Sequence, residues 1–238
     1  MWWCKRWLGS VGLLGFGLGL GLVGSLVLGG VLVREASAQV GLYADEVDRL
    51  DVITIEQDGR DLFAFSSVTG SRGRLRLDVD EVVLFNESRG RVGIVLTDRR
   101  AIGVSVNGGF QETRYRISER APDYAVVAQR IALVATGRRA LGFVGPSGVW
   151  IEESLTPGES VEAIRAGAAV GIATTNRRAL GLAPEVGRFA SIAFHLRESL
   201  ESIEAEDTLA KLRTDQRILI FSGPGAVWTF RNRNLKPD

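Results

Sequence analysis

Short runs of β-branched, apolar and small residues, interrupted every few positions by polar or glycine-bearing turns, fill the chain from Gln39 onward. The clearest stretch reads Val161–Arg165, Val170–Thr175, Ala179–Leu182 and Arg188–Phe194. Its connectors are Ala166-Gly167, Asn176-Arg177, Pro184-Glu185-Val186-Gly187 and Arg197-Glu198-Ser199. Runs of this length between such punctuation predict four β-strands. Apolar residues at i, i+3, i+4 and i+7, the mark of an amphipathic helix, are missing from these runs.

The four-strand unit recurs. Thr97-Asp98-Arg99-Arg100-Ala101-Ile102-Gly103 is echoed at Thr136–Gly142, Thr175–Gly181 and Thr214–Ile220, each 39 residues from the last. A degraded copy, Gln57-Asp58-Gly59-Arg60-Asp61-Leu62, stands 40 residues before the first of these. Five copies account for the 200 residues after Ala38 almost completely. Four strands of about 5–6 residues with their connectors fill a period of about 40, the length of one propeller blade. A second ladder, Gly93, Ala132, Gly171 and Ala210, puts a small residue at one place on the second strand, beside large aliphatics. Gly103, Gly142 and Gly181 extend it onto the third strand. Glycine weakens a strand, so its recurrence implies close approach of a neighbouring backbone or sheet. The expected fold is an all-β, five-bladed β-propeller over residues 39–238. The Thr-Asp-Arg-Arg-x-Leu string resembles a hairpin of bacterial PH-like domains; those end in a helix for which a 39-residue unit has no room, so that fold stands as the minor alternative.

Residues 1–38 read differently. Lys5 and Arg6 precede an uncharged run from Leu8 to Val33, and Ala36-Ser37-Ala38 follows it. A basic start, an apolar stretch and a small-x-small triplet are the pattern of an export signal. The 26 uncharged residues are also long enough to stay in a bilayer as an anchor. The basic residues keep the N-terminus in the cytoplasm in either case, so the repeats are expected in the periplasm or outside the cell. Membrane contact is expected only through residues 8–33, if they are retained.

Composition then narrows the chemistry. A net charge of +1 gives no basic footprint for nucleic acid. The chain has one cysteine, Cys4, and one histidine, His195, so neither the usual zinc ligand sets nor a cysteine–histidine pair within the repeats is expected. No cofactor is expected. Arg60, Arg100, Arg139, Arg178 and Arg217 recur just after the turn between the second and third strands. Two readings follow: a ring of guanidinium groups for an acidic ligand, or a set of clamps on the acids Asp80, Glu119, Glu159 and Glu198. Trp150 and Trp228, two periods apart with Phe189 between them, are candidate aromatic contacts or seals of the outermost strand. Glu162, Glu201 and Asp123 share one place on first strands. They are the only acids offered to the alternative reading, a carbohydrate-active hydrolase, which would need a facing pair of carboxylates. The leading expectation is a non-enzymatic binding or scaffold module for a protein or glycan partner of the cell envelope.

Overall fold

The computed structural model describes residues 51–107, 109–117 and 119–233. The export or anchor segment expected at residues 1–38 lies outside that range. The described chain is built of strands alone, and none of its elements is a helix long and apolar enough to cross a membrane.

Five antiparallel sheets follow one another along the chain, each a simple meander. The first has, among the described residues, three strands, β1 (Ile53–Asp58), β2 (Asp61–Ser66) and β3 (Arg72–Arg76). The second holds β4 (Val83–Arg89), β5 (Val92–Thr97), β6 (Arg100–Ser105) and β7 (Phe110–Arg114). In the third are β8 (Tyr124–Val127), β9 (Ile131–Ala135), β10 (Arg139–Val144) and β11 (Val149–Ser154). The fourth comprises β12 (Val161–Ala166), β13 (Gly171–Thr175), β14 (Arg178–Leu182) and β15 (Ala190–Ala193). Last come β16 (Leu200–Ala205), β17 (Leu209–Thr214), β18 (Arg217–Ser222) and β19 (Val227–Asn232). The period of 39 holds in the pairing as well as in the sequence. Ile55 opposes Ala64 in the first sheet as Ile94 opposes Gly103 in the second. That register also corrects one assignment. At a constant offset of 39, Asp61 takes the place of Arg100, and Arg60 falls on the turn at the place of Arg99.

Burial explains why the sheets stack. β5, β6, β9 and β10 are buried along their whole length, so both faces of the second and third sheets are covered. Four apolar layers result. One joins Ile53, Ile55 and Leu62 to Val95, Ile102 and Val104; the next sets Ile94 and Leu141 around Phe143. Leu133, Leu180 and Phe189 share a third, and Val170, Ile172, Leu219 and Phe221 form the fourth. From the third sheet onward a large side chain lodges over a glycine of the sheet before it. A Cβ on Gly103 would collide with the Phe143 ring and one on Gly142 with Leu182, and one on Gly181 would stand 2.6 Å from Phe221. The glycines are therefore sockets, and each socket sets the spacing of one pair of sheets.

The closed ring of the five-bladed expectation is not what the layers describe. Five sheets joined in a ring need five layers, and among the described residues only four are present. β17 alternates exposed and buried residues, as β1 does over Ile53–Glu56, so the outer faces of the last and first sheets are open. The glycine socket gives way at the last sheet to Ile220, 40% exposed. The described chain is an array of five blade-like sheets with two ends.

Filling a socket should cost more than adding the same methyl elsewhere. Gly181→Ala is expected to lose about 1–3 kcal/mol of unfolding free energy, because Phe221 must shift. Gly137→Ala, whose new Cβ would meet nothing within 4 Å, should stay within about 0.5 kcal/mol of the wild type. Equal effects in chemical denaturation would count against the socket.

Candidate functional site

At one edge of the array the recurring Thr-x-x-Arg turn builds the same polar cluster four times. Thr97 Oγ1 accepts the N–H groups of Arg99 and Arg100, which fixes the turn, and donates to Glu81 at 2.7 Å. Arg100 meets Glu81 with two parallel hydrogen bonds, Nε to Oε1 at 2.8 Å and Nη2 to Oε2 at 2.7 Å. Such bidentate pairs fix geometry as well as charge. Glu81 Oε2 also accepts the Asp78 N–H, closing the turn that leads into β4. Thr136 with Glu119 and Arg139, Thr175 with Glu159 and Arg178, and Thr214 with Glu198 and Arg217 repeat the pattern. In three of the four the turn's Asp or Asn adds a bond, accepting the N–H of Val82 at Asp98, of Ser160 at Asn176 and of Ser199 at Asp215.

Each glutamate sits on the connector that leaves one sheet and enters the next. Arg139, Arg178 and Arg217 extend Nη2 to a backbone carbonyl at the end of the preceding sheet: Arg114 at 2.6 Å, Ser154 at 3.0 Å and Ala193 at 2.9 Å. Arg178 also reaches Glu153 of that sheet at 2.7 Å. One guanidinium thereby ties two sheets and the chain between them. Arg100, Arg139 and Arg217 are 2–4% exposed, so their charge is spent inside the protein. Arg60 differs, holding the Leu77 carbonyl through Nε and Nη2. The first acid of the series is Glu81, with Asp80 beside it in the left-handed region at φ 59°. Gly158 and Arg197 hold the matching place at φ 75° and 63°.

Burial by itself would raise the pKa of these glutamates. Hydrogen bonds from the arginine, the threonine and a backbone N–H outweigh it and bring Glu81, Glu159 and Glu198 down to about 2. Glu119 is lowered in the same way.

The two tryptophans perform a related task at the outer rim. Trp150 Nε1 donates to the Gln111 carbonyl at 3.0 Å and Trp228 Nε1 to the Ala190 carbonyl at 2.9 Å, each on the outermost strand of the preceding sheet. Their rings lie 5.1 Å and 5.0 Å from Phe143 and Phe221. Phe189 is buried in the layer at Gly142. Asp123, Glu162 and Glu201 share one place in the repeat. Glu162 and Glu201 occupy β-bulges of β12 and β16, and Asp123 immediately precedes β8. All three are exposed, and Glu201 is bound by Arg213 at 2.9 Å and Arg233 at 2.8 Å. Among the described residues no group of three or more His, Cys, Asp or Glu could hold a metal ion.

The opposite edge carries the feature that residue types do not announce. Hairpin turns between first and second strands meet there in a backbone ladder. Val52 N–H donates to Gly90 at 2.9 Å, Arg91 to Gln129 at 2.7 Å, Arg130 to Ala168 at 3.0 Å and Ala169 to Asp207 at 2.7 Å. The acceptors are 39 residues apart but chemically unrelated, because the main chain makes the bond. Beside this ladder lies a cleft of about 840 Å³. Its floor is small, with Ala128, Ala166 and Ala168; Arg89 and Arg130 bring positive charge, and Glu206 and Asp207 negative.

The clusters predict the acid response. Because the folded-state pKa values lie below the ordinary carboxylate value, the stability they give is complete above about pH 4.5. It is lost as pH falls toward 2, where the clusters protonate. Chemical unfolding at a series of pH values should show this fall, and Glu198→Gln should flatten it. Arg139→Ala, which strands Glu119 without its partner, should cost about 3–5 kcal/mol.

No protein-family model matches the chain, and no curated protein sequence does. Solved structures similar to it include the N-terminal domain of Nup159, at 11% identity and a TM-score of 0.34 over 76% of this chain and 58% of that one. The WD40 domain of Neurospora crassa Pan2 gives 12% identity and 0.32 over 77% and 63%. Yeast RCC1 (Prp20) bound to Kap60 gives 7% and 0.38 over 72% and 54%. The chain thus spans little more than half the length of these three structures, and its functional reading rests on its own geometry.

Proposed function

We propose that this protein is a non-enzymatic binding module, carried out of the cytoplasm by residues 1–38, whose cleft at the ladder edge docks a segment of a protein partner. The observation that carries the reading is the cleft itself, formed where the turns of four successive sheets converge. A surface assembled from four turns is wide and shallow, which suits an extended chain. The alanine floor lets a backbone approach, and charges of both signs at the rim select its register. Among the described residues no aromatic side chain lines the cleft, so they offer there no stacking surface of the kind on which sugar rings are usually held. That favours a protein over a glycan. The arginines at the other edge support the same choice, since their hydrogen bonds are made to Glu81, Glu119, Glu159 and Glu198 and leave no ring of free guanidinium groups for an acidic ligand.

Two measurements test this. A photo-crosslinking residue at Ala168 or Arg89 should capture a defined partner in the native envelope, while the same residue at Arg138, on the opposite edge, should not. Ala168→Trp should abolish capture from Arg89 without lowering the unfolding midpoint. Equal capture from both edges would remove the cleft as the docking surface. N-terminal sequencing of the native protein addresses export: a start at Gln39 or retention of Leu8–Val33 with the repeats outside the membrane agrees with it, and a cytoplasmic chain with an intact N-terminus overturns it.

A further inference from the structure

The open faces of the first and fifth sheets fit each other by the rule that governs the internal layers. In those layers a residue on a second strand meets the two residues that flank its equivalent in the sheet before. A Cβ on Gly93 would touch Ile53 and Ile55, and one on Gly171 would touch Ile131 and Leu133. Large third-strand residues follow a companion rule, with Phe143 over Gly103 and Phe221 over Gly181. Applied to a sixth sheet whose sequence is that of the first, the rules name the contacts. Glu56 would fall between Lys211 and Arg213, Thr54 between Leu209 and Lys211, and Phe65 over Ile220.

Every one of those residues is exposed and can be reached. Thr54 and Glu56 are exposed on β1, and Lys211 and Arg213 are exposed on β17. Leu209 is 48% exposed, Ile220 40% and Phe65 40%. The negative charge of Glu56 would meet the positive charges of Lys211 and Arg213, and the exposed apolar side chains would meet each other. A groove of about 290 Å³ beside Phe65, lined also by Asp51, Thr54 and Arg72, gives the incoming side chains room. The backbone ladder points the same way. Its next step beyond Ala169 and Asp207 would run from the Thr208 N–H to the Asp51 carbonyl, and both residues are exposed at the two ends of the array.

We infer that a second copy of this chain docks head to tail, the first sheet of one copy covering the fifth sheet of the next and continuing the repeat across the junction. Such a contact is heterologous, so it closes into a ring of copies or grows into a filament according to the turn per sheet. Ile220 stands where the internal layers have alanine or glycine (Ala64, Gly103, Gly142, Gly181), which holds this junction wider than the layers within a chain and makes it reversible. Lys211 and Arg213 already touch Glu204 and Glu201 of their own sheet, so the incoming Glu56 joins a charge network that salt weakens.

Disulfide trapping tests the junction. In the full chain with Cys4→Ser, purified in mild detergent, Asp51→Cys and Thr208→Cys proteins should each stay uncrosslinked alone and form a one-to-one covalent dimer when mixed and oxidised. With both substitutions in one chain, crosslinked multimers are expected. A crosslink closed within a single chain would show that its own two ends meet, and absence of any crosslink would show that they meet nothing; either result overturns the proposal. Sedimentation adds a second reading. Lys211→Glu with Arg213→Glu should weaken self-association about 100-fold, and mixing that protein with Glu56→Lys should restore a heterodimer. Unchanged association in the charge-reversed protein, or a wild type that stays monomeric at high concentration, would overturn it as well. Retained association without a disulfide between the two introduced thiols would assign it to another surface, the apolar run 8–33 included.

Discussion

A carboxylate withdrawn from water on each connector, and answered there by an arginine and a threonine of the following turn, is the constraint around which this chain is organised. The acid cannot be left alone, because an unpaired buried charge costs several kcal/mol. The connector must therefore end where the arginine can reach it. That requirement fixes where the chain leaves one sheet and where it enters the next, and the main-chain carbonyls taken up by the same guanidinium set the distance between the two. The apolar layers supply the larger share of the stabilising burial, but they are forgiving of direction. The Glu–Arg–Thr cluster supplies direction, which apolar packing between twisted sheets does not.

Sockets and clusters act at different depths. Near the middle of each sheet, Gly103, Gly142 and Gly181 let a large neighbour sink in and draw the sheets together. At one edge the glutamates pin the connectors; at the other, carbonyls of Gly90, Gln129, Ala168 and Asp207 bind the turns. Trp150 and Trp228 close the rim. The second and third sheets, and the fourth and fifth, are thus held together at the middle, at both ends and at the outer edge, which leaves little freedom for one to rotate on the other.

Much of this is legible in the residues. The period, the four-stranded unit, the small-residue stripe and the pairing of an arginine with an acid can all be read, because each is written in side chains that recur at a fixed interval. Other features are not. In an arginine-rich turn Arg60 matches Arg100 by type, while the hairpin places it at the position of Arg99, so residue type alone sets the first copy one place out of register. Asp80 and Glu81 are two acids side by side, of which the second reaches the arginine while the first turns the chain. The ladder of turns is hidden because its acceptors are a glycine, a glutamine, an alanine and an aspartate. Closure is the least legible property of all. A repeat count states how many sheets there are, whereas a ring depends on the angle between them, and that angle is set by packing too fine for a single sequence to show. The changes from glycine to isoleucine at 220, and from Ile172 to Lys211 one period on, mark an end.

An array with ends distributes its cohesion unevenly. The second, third and fourth sheets are gripped on both faces, whereas the first, over its described residues, is gripped by one layer. In stacks where each unit feels only its neighbours, opening starts at the least supported unit and proceeds inward. A pull applied to the N-terminal side of the repeats would arrive first at β1, whose loss exposes Gly93 and leaves the rest standing. The first sheet is in that sense a mechanical fuse, able to yield under load while the remaining four keep their shape.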